Sequence, residues 1–443
     1  MNGVVGAGIF LLPGRIANLA GGWSWAVYVG CASLCFLVAL CFAEMGSRYG
    51  STGGAYRYAR GAFGPFWGFL VGWIVWLSAV LGWASVSVGL ADLLTGLGVS
   101  AISAPFGRAT FVAVLAGSLA ALNARGARVG ALTNTMFSVL KLVPLALFVA
   151  IGAAHATASP FSLPAACSGP GDLQSLLLWS LFLYSGFEEV TVPAGETVDP
   201  EHTVPRALFV VLGSATVVYI LVQLVAQAVF PALGASERAP LADAAQALLG
   251  SRGLALIGVG SVVSLLGTNA SIAFTGPRSL YALAEDGFVP ARLAQLDERF
   301  HAPRTAIALT AGLVIALPLI DTLHLQSFTL GRLLKMSALA SLLQYIATCA
   351  ATIAMRRSSD APPARFRAPG GAMLPWAALA LVVGLFCMAD LQDKLATLVG
   401  VALGLPLWWL TPREVRQAVE HRGDARDEAF VEGQPASARA PRV

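Results

Sequence analysis

The chain has 443 residues, of which 57% are hydrophobic and only 12% are charged, with a formal net charge of +4. Soluble proteins carry roughly 25% charged residues, so this composition excludes a water-soluble fold. A net charge this small does not indicate a nucleic acid partner. The six cysteines and five histidines follow neither a disulfide framework nor a metal-ligand spacing, so we expect no metal site and no cofactor.

About twelve apolar runs, bounded by polar turns, have the length and composition of membrane-spanning helices. They cover residues 3–20, 22–45, 66–94, 109–123, 129–154, 173–198, 204–233, 253–284, 305–320, 330–355, 374–389 and 395–410. The chain is therefore predicted to be an all-α polytopic membrane protein. The first run starts almost at its own glycine cluster, so we expect the inner half of that helix to lie upstream of Met1. Residues 412–443 mix arginine, acidic and small residues and are predicted to form a disordered cytoplasmic tail.

Lysine and arginine accumulate on the cytoplasmic side of membrane proteins. When the loops after even-numbered spans are placed in the cytoplasm, 20 Lys and Arg residues lie on that side and 7 on the other. The sequence therefore predicts a multi-pass protein of the cell (inner) membrane with both termini in the cytoplasm.

The first predicted span contains three glycines within six residues, Gly3, Gly6 and Gly8. Glycine weakens a helix, so a break is predicted here. A broken membrane helix exposes backbone groups that can bind a solute, and the N-terminal end of the following half-helix favours a carboxylate. Close packing of helices through small residues explains the glycines as well, and both interpretations stay open.

The sixth predicted span is interrupted by Ser185 and Gly186, which are followed by Glu188 and Glu189. A carboxylate that faces lipid costs at least a few kcal/mol, so Glu188 at least is expected to face a cavity or the bundle interior. The alternative places both glutamates near the headgroups. Breaks at the first and sixth spans occupy equivalent positions if the core consists of two inverted repeats, an arrangement that indicates a transporter.

Lys141 is a lone cation in the apolar run 129–154. It lies about twelve residues from either end, roughly 18 Å along a helix, which is too far for its side chain to reach an interface easily. The ammonium is therefore predicted to point into the bundle.

Five motifs, in order along nearly the whole chain, resemble those of the amino acid-polyamine-organocation (APC) superfamily. They are Gly6-Ala7-Gly8-Ile9-Phe10, Thr52-Gly53-Gly54-Ala55-Tyr56 continuing to Phe63-Gly64-Pro65, Ser185-Gly186-Phe187-Glu188, Asp199-Pro200 with Pro205-Arg206, and the run from Arg278 to Gly287. The resemblance implies the leucine-transporter-like fold, in which residues 1–355 form a core of two five-helix inverted repeats, 1–154 and 172–355. Residues 372–411 then form two additional helices.

The resemblance also implies roles for individual residues. In such proteins the substrate carboxylate meets backbone amides of the first break, here Gly6, Ala7, Gly8 and Ile9. The substrate amino group meets carbonyls of the second break, here Phe182, Tyr184, Ser185 and Gly186. An aromatic residue that closes over the substrate matches Phe182, for which core packing remains the alternative.

Two further roles follow from the same resemblance. An inner gate of tyrosine and glutamate matches Tyr56, Glu188 and Tyr345. Sodium-independent members resemble this chain in having a fifth-span lysine where others hold a sodium ion. Lys141 is therefore expected to support the first break and to exchange a proton. Trp83, Ser85, Asn269, Ser271 and Ser337 are further candidates for the cavity wall, although hydrogen bonds between helices explain the serines and the asparagine equally well.

We therefore expect a secondary active amino acid transporter that works by alternating access without sodium, with an amino acid, protons and membrane lipids as partners. Proton symport and amino acid exchange are both compatible with these residues. A carrier of polyamines or other organic cations, and a sensor that binds without transport, are the alternatives. An enzyme is not expected, because the sequence places no nucleophile, metal site or set of acid and base groups at a matched depth in the membrane.

Overall fold

The computed structural model describes residues 1–6, 8–156, 158–161, 172, 176, 183–236, 239–320, 330–359 and 361–416. All regular structure within these ranges is helical. Two predicted binding residues, Ala7 and Phe182, lie outside the described residues, as do most of the predicted sixth span and the tail after residue 416.

The α-helices, numbered in chain order, have the following bounds. They are α1 (Gly8–Leu11), α2 (Pro13–Ala20), α3 (Ser24–Gly46), α4 (Ala55–Phe63), α5 (Pro65–Gly96), α6 (Pro105–Asn123), α7 (Ala127–Ala154), α8 (Pro200–Val229), α9 (Pro240–Leu249), α10 (Ser251–Glu285), α11 (Arg304–Ile320), α12 (Leu330–Arg357), α13 (Met373–Met388), α14 (Leu391–Ala402) and α15 (Leu405–Leu410). A 3₁₀ segment, Phe187–Thr191, follows the second glycine-containing interruption.

Within the described residues, eight helical segments are long and apolar enough to cross a membrane, which confirms the polytopic helical class. The number is below twelve for three reasons. The structure joins α2 and α3 into one apolar segment, Pro13–Gly46. The helices α11 and α13 have only 17 and 16 residues. Most of the predicted sixth span lies outside the described ranges.

Helix α10 is the longest element, with 35 residues. At 1.5 Å per residue it extends over about 50 Å, which exceeds the roughly 30 Å of a hydrocarbon core. Part of the helix therefore extends beyond the hydrocarbon core, and Asp286 follows the last residue of this candidate span.

Two large apolar clusters form most of the interior of the described residues, and a third is small, with Ile74, Ala340 and Val401. One combines α2, α3 and α8 with the residues before α1, and includes Tyr28, Phe42 and Leu212. The other combines α5, α6, α10 and α11, and includes Trp83 and Val112. Lipid tails are as apolar as these side chains, so close packing and interhelical hydrogen bonds hold the helices together. Helix α12 contributes to both clusters, and the candidate site lies between them.

Candidate functional site

The first predicted span is not one continuous helix. Before α1, the Gly6 N–H donates to Val4 O at 2.8 Å, which is the bond of a tight turn. Helix α1 then covers only Gly8–Leu11, and α2 begins at Pro13. The turn leaves backbone groups of residues 3–6 outside a regular α-helical ladder.

The second interruption lies where the sequence predicted it. Leu183 and Tyr184 are helical, Ser185 and Gly186 form a turn, and the 3₁₀ segment begins at Phe187. Gly186 has a φ of 99°, a left-handed conformation that glycine adopts without strain.

The two interruptions touch each other through their backbones. A Cβ atom added to Gly3 would lie 2.9 Å from Gly186 O, and one added to Gly186 would lie 2.7 Å from Gly3 C. Real Cβ atoms essentially never approach so closely. Glycine at both positions is thus required for this contact.

Polar side chains from α7 and α10 bind the carbonyl groups of the first break. The Lys141 ammonium, which is fully buried, donates to Asn2 O at 3.1 Å and to Val5 O. The Thr268 hydroxyl donates to Asn2 O at 3.1 Å, and the Ser264 hydroxyl to Val5 O at 3.2 Å. Lys141 therefore points inward, against the break.

Helix α8 supplies a second set of contacts, which the sequence analysis missed. The Tyr219 hydroxyl lies 2.7 Å from Val4 O and 2.9 Å from Leu183 O, and so contacts both breaks. Gln223 donates to Pro13 O at 3.1 Å and Gln227 to Gly21 O at 2.8 Å. These three side chains are spaced four residues apart and share one helix face. Their periodic polarity in an otherwise apolar run was the available signal.

A cavity of about 490 Å³ lies between the two apolar clusters, a size typical of small-molecule sites. Its wall includes Gly3, Val4, Gly6 and Gly8 from the first break and Leu183, Ser185, Gly186, Glu188 and Glu189 from the second. Helices α5, α10 and α12 complete the wall, partly through Ser78, Ser85, Thr268, Thr275, Ser337 and Ser341.

Not every predicted residue reaches this cavity. Ile9 and Tyr184 are fully buried and do not line it. Among the weaker candidates, Ser85 and Ser337 line the wall, whereas Trp83, Asn269 and Ser271 do not. Asn269 instead accepts a hydrogen bond from Ser87 at 2.6 Å, which joins α5 to α10.

Comparisons with known proteins agree with this arrangement. The sequence profile of the amino acid permease family matches residues 1–402. The chain belongs to the amino acid permease family. The permease is 28% identical to the serine/threonine exchanger SteT of Bacillus subtilis, over 92% of this chain and 93% of that protein. It is 26% identical to the branched-chain amino acid permease BcaP of the same organism, with 93% and 90% covered.

A mammalian relative is matched over a smaller share of its own length. Cationic amino acid transporter 4 of Mus musculus is 27% identical over 82% of this chain and 59% of its own length. The family and these relatives support an amino acid transporter, and the permease is a multi-pass membrane protein.

In the permease, Glu188 and Tyr345 form one cluster. The Tyr345 hydroxyl donates to Glu188 Oε2 at 2.6 Å, Gln344 donates to Oε1 at 3.2 Å, and the Gly186 N–H donates to Oε2 at 2.9 Å. The carboxylate thereby ties the second break to α12. Its neighbour Glu189 turns the other way and accepts a hydrogen bond from Ser271 of α10 at 2.6 Å.

Tyr56, which was expected in the same gate, lies in a different cluster. Its hydroxyl donates to Asp286, just beyond the end of α10. Arg57 binds the same carboxylate at 2.7 Å and Glu285 at 2.8 Å, and Arg60 also binds Asp286. We call these five residues the arginine clasp.

Four of the five clasp residues are buried, with Arg57 only 1% exposed, whereas the Glu285 side chain is 27% exposed. Burial raises the pKa of Asp286, but the positive charges of Arg57 and Arg60 outweigh that effect and hold the pKa below its ordinary value. Burial raises the pKa of the Tyr56 hydroxyl, and the Asp286 charge raises it further. The carboxylate is therefore ionised and the phenol is protonated.

Three other ion pairs involve arginine side chains that are at most 7% exposed. Arg278 of α10 binds Glu196 at 2.8 Å, and Glu44 of α3 binds Arg356 of α12 as well as Arg48 at 3.2 Å. The Glu44–Arg356 pair joins α3 to α12. The Arg278–Glu196 pair joins α10 to the segment after the second break.

Proposed function

We propose that the permease is a sodium-independent secondary active transporter of amino acids that works by alternating access. The observation that carries the proposal is the contact between the two helix breaks, which form one wall of the cavity. Backbone groups freed by such breaks suit the carboxylate and the ammonium of an amino acid. Gly6, Gly8 and the undescribed Ala7 are the proposed carboxylate site. Ser185 and Gly186, which line the cavity, are the proposed ammonium site.

The sodium-independent mechanism is supported by Lys141. Its ammonium already occupies the carbonyl oxygens of Asn2 and Val5, so a metal cation has no free place there. We propose that Lys141 supplies the positive charge that stabilises the first break, and that protons or a second amino acid provide the coupling.

The arginine clasp supports alternating access. We propose that it closes the end of the cavity nearest to α4, which the positive-inside distribution assigns to the cytoplasm of the cell. Inward opening therefore requires the Asp286 contacts to separate.

We further propose that both termini are cytoplasmic and that residues 1–154 and 172–355 are inverted repeats.

The proposal is tested by counterflow in proteoliposomes that contain the full chain. Vesicles are loaded with one unlabelled amino acid and take up the labelled form, with L-serine, L-threonine, L-leucine and L-lysine as the first panel. This panel follows the substrates named for the relatives above. Uptake that depends on internal amino acid and not on sodium is expected. Absence of flux for a broad amino acid panel, with folded protein verified, contradicts the proposal.

A carrier of organic cations is the second candidate, and Glu189 favours it. The cavity wall contains the carboxylates of Glu188, Glu189 and Asp92 and no lysine, arginine or histidine side chain among its described residues. Asp92 is paired with Arg108 at 2.6 Å, and Glu188 is held by Tyr345. Competition of counterflow by putrescine, without competition by neutral amino acids, selects this candidate.

A further inference from the structure

One side chain outside the predicted site contacts both helix breaks. Tyr219 of α8 is fully buried, and its hydroxyl oxygen lies 2.7 Å from Val4 O and 2.9 Å from Leu183 O. Val4 belongs to the first break and Leu183 is the residue from which the second break departs. Both residues also line the cavity.

The Tyr219 ring is packed between two other aromatic rings. It packs against the ring of Tyr184 with centroids 5.3 Å apart and against that of Tyr28 at 5.9 Å. Both neighbouring rings are themselves fully buried. The Tyr219 hydroxyl is thus held at a fixed place between the two breaks.

A phenol carries a single proton and can donate it to one carbonyl at a time. Backbone carbonyls inside a membrane protein require a donor, and a broken helix no longer supplies all of them. Val4 O accepts a second bond, from the Gly6 N–H at 2.8 Å. When a bound ammonium group takes one of the two carbonyls, the phenol can still donate to the other.

We infer that Tyr219 is a positioning residue that holds the two helix breaks together as one binding unit for the amino acid. This inference rests on the proposed function, because it assigns the hydroxyl a role in substrate affinity. It differs from a purely structural role, in which loss of the hydroxyl lowers only the stability of the fold.

The first experiment compares two substitutions of buried tyrosines. Tyr219→Phe removes the hydroxyl between the breaks. Tyr28→Phe is the matched control, because the Tyr28 hydroxyl is also fully buried but donates to Gln223 at 3.0 Å and touches neither break. Affinity is measured with whichever labelled amino acid of the serine, threonine, leucine and lysine panel gives the strongest counterflow.

Both variants are expected to lower the thermal unfolding temperature by similar amounts. Only Tyr219→Phe is expected to weaken binding, by roughly tenfold, because a carbonyl left without its donor changes the geometry of the site. Equal affinity in Tyr219→Phe and the wild type overturns the inference and leaves the proposed function intact. Failure of the wild type to bind any amino acid instead overturns the proposed function.

A second readout does not require substrate. Amide hydrogen exchange is measured over residues 3–9 and 183–189 in detergent. Faster exchange in both segments is expected for Tyr219→Phe and in neither for Tyr28→Phe, and faster exchange confined to one segment contradicts a link between them. If Tyr219→Phe does not fold, Tyr219→His is used instead, because histidine retains one ring N–H donor. This variant is expected to bind the amino acid more weakly than the wild type. Affinity and exchange rates equal to those of the wild type overturn the inference.

Discussion

Asp286→Asn tests whether the arginine clasp closes one end of the cavity. Asp286 accepts hydrogen bonds from Tyr56, Arg57 and Arg60, and all three partners are buried. Breaking a buried ion pair typically costs 3–5 kcal/mol. Here asparagine retains an acceptor and Arg57 keeps Glu285, so we expect a loss below that range, about 2–3 kcal/mol, which is roughly a 30- to 150-fold shift toward the open arrangement.

The assay uses a reporter cysteine at Ser279. This residue lines the cavity, is 1% exposed, and lies seven residues before Asp286, about 10 Å along α10. Ser279→Cys is introduced into a chain whose native cysteines are replaced by serine. An impermeant maleimide is then added from the side on which α4 lies. Asp286→Asn is expected to raise the labelling rate of this cysteine and to lower the unfolding temperature.

Asp297→Asn is the matched control. Asp297 pairs with Arg304 at 2.8 Å, close to the 2.7 Å of the Asp286–Arg57 pair, but the Arg304 side chain is 50% exposed. Exposed pairs contribute about 0–1 kcal/mol, so neither labelling nor stability should change appreciably. If Asp286→Asn also leaves both quantities at wild-type values, the clasp does not close the cavity and our reasoning is wrong.

Three further predictions follow from the same geometry. Because the pKa of Asp286 is lowered, its stabilising contribution is complete above the ordinary carboxyl pKa and is lost only at more acidic pH. Maleimide reacts with the thiolate, whose fraction rises with pH, so the labelling rate of the Ser279→Cys variant is divided at each pH by the rate of the same variant that also carries Asp286→Asn. This ratio should stay constant from about pH 5 to 8; a steep change in that window refutes the assignment. Lys141→Gln should reduce transport by about tenfold or more and remove its pH dependence, since the ammonium donors on the first break are lost; intact transport with intact pH dependence excludes a coupling role. Gly186→Ala should lower stability by about 1–3 kcal/mol or more through strain at its positive φ, as measured by thermal unfolding, whereas Gly213→Ala, which meets open space in α8, should be neutral or slightly stabilising.

The sequence was sufficient for features that depend on local composition. Apolar run length predicted the polytopic helical class, and the glycines and the Ser-Gly pair predicted where two helices are interrupted. The depth of Lys141 in its run predicted that it points inward, because no interface lies within reach of its side chain. These predictions require only the chemistry of a residue and its distance from the ends of a span.

Features that depend on distant partners could not be predicted in the same way. Tyr56 was grouped with Glu188, but its hydroxyl meets Asp286, 230 positions away in the chain. Nothing local distinguishes those two acceptors. The contacts of Tyr219 with both breaks were also missed, since a tyrosine in an apolar helix is ordinarily a packing residue. Only its register with Gln223 and Gln227 marked that face as polar.

The three polar side chains of α8 also have a consequence for how the protein is made. Their acceptors, Val4 O, Pro13 O and Gly21 O, are separated from Tyr219, Gln223 and Gln227 by 215, 210 and 206 positions. During synthesis these carbonyls therefore lack their final donors until α8 has emerged from the ribosome. The N-terminal segment can enter the bilayer early, but it reaches its final arrangement only late, when α8 inserts beside it.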